Sequence, residues 1–82
     1  MNRTYRNVGE LPLRIYEMAD LHSHIVSSLK PGGEIFVSEF VDTVSVRFGK
    51  VSGGYIVIGI ITMDELWLHP VPETISMVVH GE

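Results

Sequence analysis

The stretch LPLRIYEMADLHSHIVSSL, residues 11–29, carries the strongest periodic signal in the chain. Leu11, Ile15, Met18, His22, Ile25 and Leu29 recur alternately four and three residues apart, with Ala19 and Val26 beside them, which is the spacing of an amphipathic helix. Pro12 suits a first helical turn. Lys30-Pro31-Gly32-Gly33 supplies a stop, because the residue before proline avoids the α region and the glycines permit a reversal. The periodicity therefore predicts one helix over residues 12–29.

Beyond that break the pattern changes to strands. Residues 34–40 and 43–48 are rich in valine and phenylalanine, and Val44, Val46 and Phe48 alternate with Ser45 and Arg47 as a half-buried strand requires. A bend is expected near Asp42-Thr43, and a hairpin loop over residues 49–54. The β-branched run from Tyr55 to Met63 then reads as the central strand. Thr62 with Glu65 three residues later fits a capping box for one helical turn before Leu66-Trp67-Leu68 and the prolines at 70 and 72. A last strand is expected from Thr74 to His80, and residues 3–8 form a short edge strand or, with the rest of residues 1–10, a flexible arm.

These elements add up to an α+β fold, one N-terminal amphipathic helix packed on an antiparallel sheet of three to five strands. With 82 residues the chain makes a single domain, residues 1–82. Chains near this size sit close to the limit, roughly 70–80 residues, below which one hydrophobic core supplies only a few kcal/mol and needs support. The absence of cysteine removes disulfides and thiolate metal sites as that support. Oligomerisation or partner binding is left.

The central strand points the same way. Side chains alternate between the faces of a strand, so a sheet with one wet face should be apolar at alternate positions only. Tyr55 to Met63 is not: Tyr55, Val57, Ile61 and Met63 lie on one face, and Ile56, Ile58 and Ile60 on the other. Ile35 with Val37 opposes Phe36 with Phe40 in the same manner. A helix of about 18 residues is roughly 27 Å long and covers one face of a small sheet. The face of Ile56, Ile58 and Ile60 then needs a second copy, another protein, or closure of the sheet into a small barrel. A partner is the favoured cover. Trp67, flanked by Asp64, Glu65 and His69, has the composition of an interface hot spot, against the plain alternative of a core plug.

Composition limits the function classes. The chain is 45% hydrophobic and 20% charged, apolar for so small a domain. Its longest apolar run is far short of the roughly 20 residues of a membrane-spanning helix, and its start lacks the apolar core of a signal peptide. A cytoplasmic protein is expected. The net charge is −4, and residues 31–82 hold Glu34, Glu39, Asp42, Asp64, Glu65, Glu73 and Glu82 against Arg47 and Lys50. That balance disfavours a nucleic-acid partner, which calls for a basic stripe; only Arg3, Tyr5 and Arg6 hint at one.

No catalytic constellation emerges. His22-Ser23-His24 has the spacing of a zinc-binding pair on a strand or loop, but on the expected helix the two imidazoles point about 200° apart. The serines lie in no nucleophile motif, and Gly32-Gly33 and Gly53-Gly54 complete no phosphate loop. Neither a cofactor nor a metal is expected. The leading expectation is a non-enzymatic protein-interaction module, an inhibitor or adaptor that occludes a partner surface through Asp64, Glu65, Trp67, His69 and the face of Ile56, Ile58 and Ile60. The partner is a second copy, a larger target, or both. Small acidic chains without cysteine are common among phage-encoded anti-defence proteins, anti-CRISPR proteins included, and among antitoxins, although no residue identifies that class. The competing expectation is a small-ligand or metal-binding domain, with a site assembled from His22, His24 and nearby carboxylates at a homodimer interface.

Overall fold

A computed structural model of the chain describes residues 3–72. The expected strand over residues 74–80 lies outside them. The described residues form nine strands: β1 (Arg3–Asn7), β2 (Leu13–Tyr16), β3 (Ile25–Leu29), β4 (Glu34–Val37), β5 (Glu39–Asp42), β6 (Val46–Val51), β7 (Gly54–Ile60), β8 (Glu65–Leu66) and β9 (Leu68–Pro70). Their only helical element is a 3-10 turn at Ile61–Met63, which has no side-chain cap, so the Thr62 capping box does not form. No helix of the described residues is long and apolar enough to cross a membrane.

The helix expected over residues 12–29 is absent, and the α+β class falls with it: the protein is nearly all β. In place of the helix, β2 and β3 pair antiparallel, Leu13 opposite Leu29 and Ile15 opposite Ser27. Three physical causes outweigh the periodicity. Ile25-Val26-Ser27-Ser28 is poor in helix propensity, because β-branched side chains lose freedom there and hydroxyls compete for the backbone. Side chains in the connecting loop take that competition up: Asp20 Oδ1 accepts the His22 N–H at 2.9 Å, and the Ser23 hydroxyl donates to the Asp20 carbonyl at 2.7 Å. Finally, β2 pairs on its other side with β7, Ile15 opposite Ile56, a ladder that a helix could not offer. The apolar stripe itself is not a buried face, since Leu11, Met18 and Ile25 are exposed and Ile15 is buried.

The strands build two sheets. The larger runs β3-β2-β7-β6-β5 with β8 added beside β7, and the smaller runs β4-β1-β9. β7 is central, as expected from its apolar run. β1 lies at the centre of the small sheet, not at an edge. The chain passes between sheets four times, through the β1–β2 and β3–β4 connections and across a single residue at Ser38, whose N–H donates to the Lys50 carbonyl at 2.9 Å, and at Trp67, between β8 and β9. β6 and β7 meet through a two-residue turn, Ser52-Gly53, with Val51 opposite Gly54 and Gly53 at φ 88°. Such a tight turn needs the left-handed conformation that glycine accepts without steric cost.

The small sheet covers one face of the large one. Tyr5, Val37 and Leu68 from the small sheet pack with Ile15, Val51, Ile56 and Ile58 in one buried cluster, and Tyr5 meets Phe40 edge-on with ring centroids 6.1 Å apart. Sheets come close enough because β6 has a glycine there. A Cβ on Gly49 would lie 2.7 Å from Ile58 and 2.8 Å from Val37. The opposite face holds Tyr16, Val46, Phe48 and Val57, with Ala19 of the β2–β3 loop against it.

A bulge divides β7 between these faces. Arg47 pairs with Gly59 and Phe48 with Val57, leaving Ile58 as the extra residue. Strict alternation would put Ile60 with Ile56 and Ile58. Past the bulge it packs instead with the cluster of Val57 and Phe48.

Asn7 is the one polar residue buried among the described residues. Its side-chain amide donates to the Leu11 carbonyl at 2.9 Å and the Leu29 carbonyl at 3.0 Å, and its Oδ1 accepts the Gly9 N–H at 3.0 Å. Its backbone bonds to Gly33 and Gly32 in the β3–β4 turn at 2.9 and 2.8 Å. Alanine there leaves the Leu11 and Leu29 carbonyls and the Gly9 N–H, all partly buried, without their partner, a loss of about 1 kcal/mol for each bond. Asn7→Ala is therefore expected to lower the unfolding free energy by about 2–3 kcal/mol in urea denaturation. Asn7→Asp should not rescue it, because a carboxylate cannot donate to two carbonyls.

Candidate protein-interaction surface

The residues expected to form the site divide sharply. Ile56 and Ile58 are fully buried under the small sheet, so the chain covers with its own second layer the face for which a partner was the favoured cover. Ile60 is half-buried on the opposite face. Asp64, Glu65, Trp67 and His69 are all exposed. Asp64 closes the 3-10 turn at φ 53°, a left-handed conformation that aspartate tolerates better than most residues, and its N–H donates to the Ile61 carbonyl at 3.2 Å. His69 sits in β9 opposite Arg6.

Trp67 occupies the crossover between sheets. Its N–H donates to the carbonyl of the bulged Ile58 at 2.7 Å, so the backbone is anchored on the core while the indole stays 38% exposed. Next to it, β8 runs so close to β7 that a Cβ on Gly59 would collide with the Glu65 carbonyl oxygen. Only glycine fits that contact.

The bend at Trp67 lets Leu66 and Trp67 line one groove, which an extended segment would forbid. Val8 and Leu11 of the β1–β2 connection, with Leu13 at the start of β2, form the facing wall, and Glu10 stands at the rim. The groove encloses about 250 Å³. Leu11 is 75% exposed, Leu66 55% and Val8 54%. The sequence does not mark Val8 and Leu11 as partners in a groove: periodicity sets Leu11 in a helix stripe, and Val8 falls at the end of an expected edge strand. Their signal is the flanking Gly9-Glu10, a loop composition that leaves apolar neighbours on the surface.

A second groove lies on the far side of β8, where Glu65, Asp64 and Leu66 face Arg47 and Ile60. Arg47 grips Asp42 through two bonds, Nε to Oδ1 at 2.7 Å and a terminal nitrogen to Oδ2 at 2.9 Å, and its guanidinium lies 4.9 Å from the Phe40 ring centroid. The paired hydrogen bonds hold the Asp42 carboxyl below its usual value and raise the Arg47 guanidinium above its own.

The histidines lie elsewhere. His22 and His24 belong to the exposed β2–β3 loop, and the His22 side chain is 96% exposed with Nδ1 at 3.5 Å from Asp20. Among the described residues no group of three histidine or acidic side chains is placed to hold a metal ion. His80 lies outside them. No family model, curated protein or solved structure matches the chain, so a functional reading has to rest on these surfaces.

Two outcomes test this geometry. Replacing Arg47 by Met should return the Asp42 midpoint toward 3.8 in an NMR pH titration. Since the native shift is downward, the pairing is fully present above the ordinary value and is lost as pH falls through the lowered one. Replacing Gly59 by Ala should push β8 away from β7 and shift the emission of the single tryptophan, read by fluorescence.

Proposed function

We propose that the protein is a non-enzymatic interaction module that binds another protein through the groove between the β1–β2 connection and the Leu66-Trp67 crossover. One observation carries this reading: Val8, Leu11, Leu66 and Trp67, from two remote stretches of sequence, converge as exposed apolar side chains around a single groove. Exposed apolar side chains are common singly, whereas a contiguous set with a polar rim marks a contact surface. An indole in a concave apolar setting is the side chain that most often dominates binding energy.

The chemistry of the rim indicates what fits. Glu10 borders the groove and Glu65 and Asp64 adjoin Leu66, so the matching surface is an apolar ridge edged by lysine or arginine. Charges at such a rim steer encounter and set specificity more than they add affinity. Occupying that ridge is the means by which an inhibitor or adaptor of this size would act.

The test begins with partner capture from the source cells and proceeds to affinity measurement on the purified pair. Trp67→Ala and Leu11→Ser should each weaken binding by about 30-fold, the ~2 kcal/mol of a hot spot. Val44→Ser, at a side chain 94% exposed in the β5–β6 turn, should leave affinity unchanged. Retention of wild-type affinity by both groove variants, with their fold intact by circular dichroism, refutes the reading.

A further inference from the structure

The sheet edges of this protein are not alike. β5 carries Glu39 and Asp42, β4 carries Glu34 and β9 ends in Pro70. Charge and proline are the usual means of keeping an edge from recruiting another strand. β3, with the sequence IVSSL, closes the other end of the large sheet and has neither, its one irregularity being a bulge at Val26 against β2. Ile25, Val26, Ser27 and Ser28 are all exposed, and no described strand lies beyond them.

We propose that β3 is a pairing edge between two copies of this chain, joined antiparallel across a two-fold axis beside Ser27. An antiparallel pair related by a two-fold axis normal to the sheet sets one residue opposite itself. Ser27 is the middle residue of the strand, small enough to meet its own copy without a clash and able to hydrogen-bond to it. A second copy also suits the local charge. Although the chain as a whole carries −4, the strand is neutral, so two copies approach along it without opposing like charges.

Its ends are complementary. Lys30 follows β3 and is exposed. At the strand's other end, the Glu17 N–H donates to the His24 carbonyl at 2.8 Å, which sets Glu17 beside the start of β3, with Asp20 exposed in the same loop. Antiparallel pairing about Ser27 sets the Lys30 of each copy opposite the His24 of the other, with Glu17 one strand further in, at both ends of the joint. Such a contact is isologous, uses each patch once and closes as a dimer. It is separate from the Trp67 groove and goes beyond the function proposed for that groove.

The chain has no cysteine, which makes the axis directly testable. Ser27→Cys brings two thiols together across the two-fold, at the Cα separation of a cross-strand pair that a disulfide can span. On mild oxidation at low concentration it should give a covalent dimer in high yield, while Ser52→Cys in the exposed β6–β7 turn should not. Analytical ultracentrifugation of the full chain should show a concentration-dependent dimer. Ser27→Lys should weaken that dimer at least tenfold with the circular dichroism spectrum unchanged, and Trp67→Ala should leave it intact. A chain that stays monomeric up to near-millimolar concentration overturns the proposal. So does a dimer that ignores Ser27→Lys, or one that Trp67→Ala dissolves.

Discussion

The buried amide of Asn7 fixes how the two sheets sit together. It belongs to the small sheet through β1, yet its two donors go to the Leu29 carbonyl at the end of β3, in the large sheet, and to the Leu11 carbonyl in the connection to β2. Apolar contact alone lets two layers slide, because dispersion and burial depend weakly on direction. A buried amide with every donor and acceptor matched does not slide, since any displacement leaves a polar group unsatisfied in the core. The same residue therefore places Val8 and Leu11, which begin just beyond it, against Leu66 and Trp67. Core geometry and surface groove share one anchor.

From that anchor the economy of the fold follows. Among the described residues, strands that begin in one sheet continue into the other. Residues 34–42 do so at Ser38, and residues 65–70 do so at Trp67. Each crossing lets a few residues serve both layers. Glycines at 49 and 59 allow the close approaches that such folding-over demands. The tyrosine of β1 and the phenylalanine of β5 seal the joint edge-on.

Of the strands from residue 34 to 60, the β-branched run from Tyr55 was legible as the centre of a two-faced sheet, whereas the strand expected at 43–48 lies at Val46–Val51, Val44 stands exposed in a turn, and the loop expected over 49–54 shrinks to Ser52-Gly53. That both faces of this sheet are dry was also legible. What supplies the second layer was not, since that depends on Tyr5 and Val37 meeting Ile58 across twenty or more residues of intervening chain and on Leu68 folding back onto it past the Trp67 bend. The helix expected at 12–29 shows the limit of periodicity: Leu11, Ile15 and Met18 keep helical spacing while residing in a groove wall, a buried strand and an exposed loop. Asn7 offered no sign of its role, because a lone asparagine reads as a surface or turn residue until its partners are known. Of the expected site, Asp64, Glu65, Trp67 and His69 reach the surface, whereas Ile56 and Ile58 are consumed by the core. The bulge moved Ile60, and no alternation rule reveals a bulge.

That bulge makes the chain unequally sensitive to changes in length. Ile58 is the extra residue of that bulge, so deleting it would leave Ile60 beside Val57 while taking a buried side chain from the core and the carbonyl that holds the Trp67 N–H. Deleting Gly59 instead, with the bulge kept, would set Ile60 opposite Arg47 and carry the 3-10 turn, β8 and the crossover at Trp67 round with it. By contrast, the exposed β2–β3 loop has slack on the surface, and an added residue there need disturb nothing beyond its own hydrogen bonds. Insertions and deletions among related chains should therefore gather in residues 17–24, and the spacing between Gly53 and Trp67 should be held constant even where its side chains change.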